Sequence, residues 1–429
     1  MNYCLQIFFF LFLFYINTIS ASDCTNGRYI DPVFSEVDVT RNIIYANKKQ
    51  SDGQYIDLTY NVYQPQGDTF ASRPVMFFVH GGGFIKGLGD LHDMAVHCNY
   101  FAQRGFVTVS VEYRLEPNML SLLFEDVMVK ALGRGMFDTK DAIDHLVSTY
   151  QTGNPYRIDT SKIIIYGVSA GAVNSLNFSY LDSIQMLPER YQRWITGLDD
   201  IDVDSVLRHR FDLSKPKILI SISGMVLDTG WIKPNGIDVL LVHGKLDKIV
   251  PYNYGRFLSL PWLPFGYGAK AQYPRMINQG IRCEFEDWIG RGHVPFQNNF
   301  TNPFDPEIYN QPILDSMHRH IAHFCYTLMN CDQQATLIHQ NIREVNLIVF
   351  PNPSKGNFMI QVPKVVNAGK WNVSIYDVLG KEQFNKEFTG NTEFISVNEK
   401  LMPGVYLVKM YCEKDNAPVN YTAKITIVQ

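Results

Sequence analysis

The pentapeptide Gly167-Val168-Ser169-Ala170-Gly171 directly follows the apolar run Ile163 to Tyr166 and precedes a stretch of helical character. A serine flanked in this way, between a strand and a helix, sits on a turn so tight that a Cβ at either glycine would strike neighbouring backbone. The turn lifts the Ser169 Oγ above the sheet and aims the following helix N-terminus at developing negative charge. Its chemistry is nucleophilic attack on a carbonyl, which also needs a base, a carboxylate to orient the base, and donors for the oxyanion. G-x-S-x-G alone arises by chance in long chains, so the inference rests on its placement and on those further parts.

Donors are offered by His80-Gly81-Gly82-Gly83-Phe84, immediately after the apolar run Val75 to Val79. Small residues leave backbone N–H groups uncovered, and Gly82, Gly83 and the residue after the nucleophile, Ala170, are the candidate oxyanion donors. A flexible turn or a phosphate-binding loop is the alternative, but neither G-x-x-x-x-G-K-[ST] nor G-x-G-x-x-G continues the segment. His80 reads as structural, packed beneath the loop.

Asp247 and His293 supply the carboxylate and the base in the chain order Ser, Asp, His. Asp247 lies just past the run Val239 to Val242, and His293 lies in Gly290-Arg291-Gly292-His293-Val294-Pro295 after the run Ile281 to Trp288. Loops at the C-terminal ends of parallel strands are where an open sheet collects its site residues. His243, Asp238, Asp228, Glu284 and Glu286 are rivals: Asp238 precedes its strand, and Glu284 and Glu286 fall inside one. His318, His320 and His323 stand at offsets of two and five along a helix and share no face, so they suggest no metal site. No metal and no cofactor is called for.

Positioning these residues requires several strands of one sheet. Val75 to Val79, Phe106 to Val111, Ile163 to Tyr166, Ile218 to Ile222 and Val239 to Val242 are short, near-continuous apolar runs, the mark of strands buried on both faces. Phe137 to Tyr150 and Ile313 to Leu328 carry apolar residues at helical spacing. Strand and helix in alternation give an α/β fold, a doubly wound, mostly parallel sheet, over residues 22–331. From residue 344 to 429 the texture changes to six short strand candidates: Leu347 to Phe350, Phe358 to Val362, Asn372 to Asp377, Thr392 to Val397, Val405 to Tyr411 and Ala423 to Val428. They predict a small all-β sandwich, joined through a polar linker at 332–343.

The chain has 429 residues, 46% of them hydrophobic, with 38 basic against 42 acidic side chains. That near-balance argues against a nucleic-acid partner. At the N-terminus no charged side chain precedes Asp23, and Ile7 to Ile16 is an apolar run short for a bilayer, so residues 1–21 read as a signal peptide with no lasting transmembrane segment. Of seven cysteines, Cys4 leaves with the signal, and six enter an oxidising compartment. Cys325 and Cys331 are close enough in sequence to close a small loop after a helix, and are the expected disulfide.

His80 to Phe84 (HGGGF), Glu112 to Leu115 (EYRL) and Gly167 to Gly171 (GVSAG) resemble the motifs of α/β-hydrolase carboxylesterases and lipases, including the hormone-sensitive-lipase-like and type B groups. The resemblance spans roughly residues 35 to 328. It implies hydrolysis of a small-molecule or lipid ester by Ser169, His293 and Asp247, with Gly82, Gly83 and Ala170 on the oxyanion. Glu116 departs from the pattern by standing where alanine is usual, and the segments Asp182 to Pro216 and Pro251 to Gly280 look like neither group's cap. Substrate recognition is expected from those two segments, the second of them dense in aromatic residues.

Leu347 to Phe358 (LIVFPNPSKGNF), Ser374 to Lys381 (SIYDVLGK), Met402 to Val408 (MPGVYLV) and Lys424 to Gln429 (KITIVQ) resemble the type A C-terminal sorting domain of the type IX secretion system. That resemblance implies engagement of the secretion machinery, export through periplasm and outer membrane, and a secreted or cell-surface product. A serine peptidase on the same fold and a non-catalytic binding or adhesion protein are the competing readings. The large extra domain usual in prolyl-type peptidases of this fold is missing, and a binding module has no need of Ser169, Asp247 and His293 together.

Overall fold

The computed structural model describes residues 24, 26–85, 92–198, 202–298, 309–329, 331, 343–362, 370–377, 381–389, 394–398, 401–414 and 417–428. The expected signal peptide, and the expected linker except for Arg343, lie outside these residues. The chain divides into two compact units, Met1–Cys331 and Asp332–Gln429.

The first unit is built on β1 (Val37–Lys49), β2 (Tyr55–Pro65), β3 (Arg73–Val79), β4 (Val107–Val111), β5 (Ile158–Val168), β6 (Ile218–Ile222), β7 (Met225–Val226), β8 (Asp238–Gly244), β9 (Tyr254–Arg256), β10 (Phe265–Gly268) and β11 (Cys283–Trp288). Eight of these form one sheet in the order β1-β2-β4-β3-β5-β6-β8-β11. Neighbours from β4 to β11 run parallel, while β1 with β2 and β2 with β4 are antiparallel. The helices are α1 (His92–Ala102), α2 (Glu125–Ser148), α3 (Ala170–Tyr180), α4 (Glu189–Thr196), α5 (Val203–Arg208), α6 (Ala269–Asn278) and α7 (Gln311–Leu328).

Strand β3 explains why the central runs are apolar throughout. With side chains alternating across the sheet, Val75, Phe77 and Val79 join one core with Val129, Phe137 and Ile143 of α2 and Val173 and Leu176 of α3. Met76 and Phe78 join the other core with Met94, Cys98 and Phe101 of α1 and Leu314, Met317 and Ile321 of α7. Both faces are covered, so no position in β3, β4 or β6 is left for a polar residue facing water.

The expected Cys325–Cys331 disulfide is not formed. Cys331 is bonded to Cys24, with Cα atoms 5.4 Å apart, and Cys325 is a free, buried thiol. The helical turn that carries Cys325 directs it into the core of α7, beside Ile321 and Phe324, and away from the end of the helix. The observed bond spans 307 residues and joins the two ends of the first unit. A cross-link over so long a loop restricts the unfolded chain strongly, so reduction or Cys24→Ser is expected to lower stability by about 2–5 kcal/mol. Denaturant unfolding with and without reductant checks this, and superimposable curves would contradict it.

The second unit contains β12 (Arg343–Asn346), β13 (Ile348–Phe350), β14 (Asn357–Gln361), β15 (Lys370–Asp377), β16 (Glu382–Thr389), β17 (Phe394–Asn398), β18 (Gly404–Lys414) and β19 (Ala417–Ile427). A five-stranded sheet, β12-β19-β18-β15-β16, packs on a three-stranded one, β13-β14-β17. Phe358, Ile360, Ile395 and Val397 of the smaller sheet share one core with Trp371, Val373, Ile375, Val408, Met410 and Ile425 of the larger. This is the sandwich arrangement, with alternate residues of β14 and β17 turned inward onto the larger sheet.

Candidate active site

Ser169 stands between β5 and α3 with φ 52° and ψ −116°, a backbone conformation that a non-glycine residue adopts only under strain. Its surroundings force glycine on both flanks. A Cβ on Gly171 would lie 2.0 Å from the Val79 carbonyl oxygen, and one on Gly167 would lie 2.6 Å from the Ala172 Cα. The turn is anchored by the Ser169 N–H, which donates to the Ile222 carbonyl at 2.8 Å.

The structure brings Ser169, His293 and Asp247 together. Ser169 Oγ is 2.7 Å from His293 Nε2, and His293 Nδ1 is 2.7 Å from Asp247 Oδ2. An ionised carboxylate only accepts, so the His293 proton sits on Nδ1 and Nε2 is free to take one from Ser169. Asp247 Oδ1 accepts the N–H groups of Ile249 at 2.8 Å and Val250 at 3.0 Å. Burial pushes the Asp247 carboxyl upward, but the charge of His293 and the hydrogen bonds from His243 and His293 outweigh it and hold the group well below the usual carboxylate range. The loop bearing His293 is fixed from β6: the Val294 N–H donates to Ser223 Oγ at 3.1 Å.

The glycine loop after β3 faces the same point. A Cβ on Gly81 would come within 3.2 Å of the Ser169 Cβ, so this loop runs directly against Ser169. Gly82 and Gly83 have φ of 101° and 60°, and the space beside Gly83 is open. Among the described residues neither of their N–H groups meets a backbone acceptor, and the Ala170 N–H opens helix α3, where it has no partner within the helix. Beneath them His80 donates from Nδ1 to the Gly81 carbonyl at 2.7 Å and stacks on Tyr113 at 4.3 Å. The Tyr113 hydroxyl donates to the His80 carbonyl at 2.9 Å, and burial draws the His80 imidazole down to about 4, so a neutral ring supports the loop.

Arg114, next in the EYRL segment, forms a fully buried pair with Asp138 of α2, Nη2 to Oδ1 2.7 Å, and the Glu116 N–H donates to the Phe84 carbonyl at 2.7 Å. The Glu116 bond ties the segment after β4 to the glycine loop, and the Arg114 pair ties it to α2.

The rival residues lie elsewhere. Asp238 opens β8 at its far end, and Asp228 accepts the Gly230 N–H at 2.7 Å. His318 turns inward onto His97, with ring nitrogens 2.6 Å apart, and His323 is exposed. Among the described residues no cluster of metal-binding side chains occurs. His243, a rival in the sequence, lies against the same carboxylate: its Nε2 reaches Asp247 Oδ2 at 3.1 Å.

His320 of α7 is held by both strand carboxylates, Glu286 at Nδ1 and Glu284 at Nε2, the latter at 2.9 Å. The hydrogen bond to Glu286 leads, and burial opposes it only in part, so the imidazole rises from 6.5 to about 9. A raised folded-state pKa stabilises fully below the unfolded value and is lost as pH climbs through the folded one. The stability difference between the wild type and His320→Asn is therefore expected to be constant below pH 6.5 and to shrink between 6.5 and 9. Urea midpoints across that range test it, and a pH-independent difference would contradict it.

Of the two expected recognition segments, residues 182–216 form α4 and α5, and Tyr191, Ile195 and Leu198 are buried in the core shared with α2. Residues 251–280 form β9, β10 and α6, with β10 paired to both β9 and β7. Trp262 from this segment donates Nε1–H to the Leu123 carbonyl at 3.0 Å. Its ring is 55% exposed, beside a run in which Met119, Leu120 and Phe124 are 52%, 68% and 65% exposed. The second stretch leaves the sheet at the strand end that carries the site, whereas the first follows the C-terminal end of α3 and leads into the N-terminal end of β6.

Residues 60–207 match the family model BD-FAE, and residues 348–427 match the secretion system C-terminal sorting domain. Gut esterase 1 of Caenorhabditis briggsae is 30% identical over 200 residues, which is 43% of this chain and 34% of that one. Gut esterase 1 of Caenorhabditis elegans is 27% identical over 158 residues, 35% of this chain and 27% of that one. The chain thus spans 34% and 27% of the length of these curated relatives. Among solved structures, esterase 2 of Thermogutta terrifontis phosphorylated by paraoxon aligns with 69% of this chain and 95% of its own at 18% identity, with a TM-score of 0.45. Among the described residues no helix is long and apolar enough to cross a membrane. The BD-FAE match falls within the first unit and the sorting-domain match within the second, and a sorting domain of that family marks the chain for export to the cell surface or the medium.

Proposed function

We propose that the chain is an exported carboxylic-ester hydrolase in which Ser169 is the nucleophile, His293 the general base and acid, and Asp247 the residue that orients it. The observation that carries this reading is the relay Ser169 Oγ to His293 Nε2 to Asp247 Oδ2, with both links at 2.7 Å, on a strained serine turn. His293 takes the serine proton as Oγ attacks the ester carbonyl, and Asp247 stabilises the imidazolium that forms. The N–H groups of Ala170, Gly82 and Gly83 receive the oxyanion. His293 then protonates the departing alcohol, and a water activated by the same residue releases the acid from the acyl-enzyme.

The exposed Met119, Leu120, Phe124 and Trp262 support an ester with an apolar acyl or alcohol group. The sorting domain supports engagement of the export machinery by the second unit. Hydrolysis of p-nitrophenyl esters from acetate to palmitate by the full chain tests the proposal. Turnover on any member supports it, with the preferred chain length defining the acyl site, and no turnover on any of them overturns it.

A further inference from the structure

Strand β8 delivers Asp247 and also carries a second histidine against it. His243 is fully buried, with Nε2 3.1 Å from Asp247 Oδ2 and 3.3 Å from the Val250 carbonyl oxygen. Both neighbours are acceptors, so His243 Nε2 bears the proton and donates. Asp247 Oδ2 is the same atom that receives His293 Nδ1–H. With the two backbone N–H groups on Oδ1, the carboxylate is held by four donors, two on each oxygen.

A histidine serving only to fill the core would not be placed this way. Its Nδ1 has no hydrogen-bond partner among the described residues, which costs free energy in a dry interior. An aliphatic side chain on this strand would avoid that cost. What offsets it is a charge-assisted hydrogen bond, which needs the carboxylate. Tyr252, its ring 5.8 Å from His243, and Asp287, the paired residue of β11, are the other titratable groups facing His243. Ser169 and Asp247 face His293, and the nearby Arg291 guanidinium is taken up by the carbonyls of Pro295 and Gln297.

We propose that His243 is a positioning residue for the reaction: by donating to Asp247 Oδ2 it fixes the carboxylate rotamer and draws charge from the oxygen that faces His293. This rests on the reading of Ser169, His293 and Asp247 as the catalytic groups. Without the donor, Asp247 holds the His293 imidazolium more strongly, so His293 gives up its proton at higher pH. The acidic limb of kcat/KM follows it, because only the neutral ring accepts the serine proton.

The test compares full-length wild type, H243L, H243N and H243Q by NMR titration of the His293 imidazole and by the pH profile of kcat/KM on a p-nitrophenyl ester. Leucine cannot donate, asparagine is too short to reach Oδ2, and glutamine places an N–H near the position of Nε2. In H243L and H243N the His293 titration and the acidic limb are expected to move up together by about half a unit to one unit. Below the limb this is about a three- to tenfold loss relative to the plateau, and H243Q restores the wild-type position. Should H243L not fold, H243N carries the comparison. A His293 titration unchanged in H243N, or displaced equally in H243N and H243Q, overturns the proposal. Absence of Ser169-dependent turnover in the wild type would instead overturn the catalytic reading, and the titration would still decide what His243 does to His293.

Discussion

Ser169→Ala is expected to reduce ester turnover by about 10⁴- to 10⁶-fold while leaving the unfolding transition close to that of the wild type. The size follows from what is removed. Oγ is the only atom of the relay placed to attack a carbonyl, and without it His293 has no proton to take. The fold is spared because the anchors of the turn are backbone groups: the Ser169 N–H to Ile222 and the Ser169 carbonyl to the Val173 N–H, at 2.8 and 2.9 Å. Alanine in the same φ and ψ keeps both, and the Ala170 N–H stays at the start of α3. The donors alone therefore leave a residual rate above that in water. Steady-state kinetics with a matched denaturation curve decides the matter: more than about a hundredth of wild-type turnover would place the nucleophile elsewhere.

The part of the site legible in the sequence is the part written in short, local constraints. Two glycines around Ser169 are demanded by backbone approaches of 2.0 and 2.6 Å, and a run of glycines after β3 by positive φ at Gly82 and Gly83. Asp247 and His293 are legible as candidates because each follows the end of a strand, β8 or β11, which places it at one edge of a parallel sheet. His243 could be ranked only as a rival, since its meaning depends on the chain turning back after Asp247 so that one carboxylate oxygen meets two imidazoles. The helical spacing of Phe137 to Tyr150 marks the second half of α2, while its first half contains Gly133 and Gly135, residues of low helix propensity. They are helical because side chains of Leu198 and Asn174 lie within 2.9 and 2.3 Å of where a Cβ would be, so tertiary packing demands glycine there. Strand β16, Glu-Gln-Phe-Asn-Lys-Glu-Phe-Thr, carried no apolar run because it is the edge of its sheet. The antiparallel β1 escaped for a related reason: it is an edge strand with no fully buried position. The Cys24–Cys331 bond joins residues 307 apart, a pairing that only the folded chain defines.

Asp247→Asn should lower kcat by about 10⁴-fold with little change in affinity for the ester, and the reason lies in how the four donors are distributed. Oδ1 accepts the N–H groups of Ile249 and Val250, so the carbonyl oxygen of an asparagine must take that position. Its NH2 group then replaces Oδ2 and points a donor at both histidines. His243 can turn its N–H wholly to the Val250 carbonyl, 3.3 Å away. His293 has no such escape in this geometry: to accept from the new amide its Nδ1 must lose the proton, which then resides on Nε2. Nε2 is the nitrogen 2.7 Å from Ser169 Oγ, and once protonated it cannot serve as base. The variant is thus expected to keep the arrangement of the site and lose its proton transfer. Two readouts separate this from simple disruption. Asp247→Asn should retain a near-native denaturation midpoint, and its His293 should show an Nε2-protonated neutral tautomer by ¹⁵N NMR. An Nδ1-protonated ring in an inactive variant would mean that Asp247 acts through charge alone, without setting the tautomer.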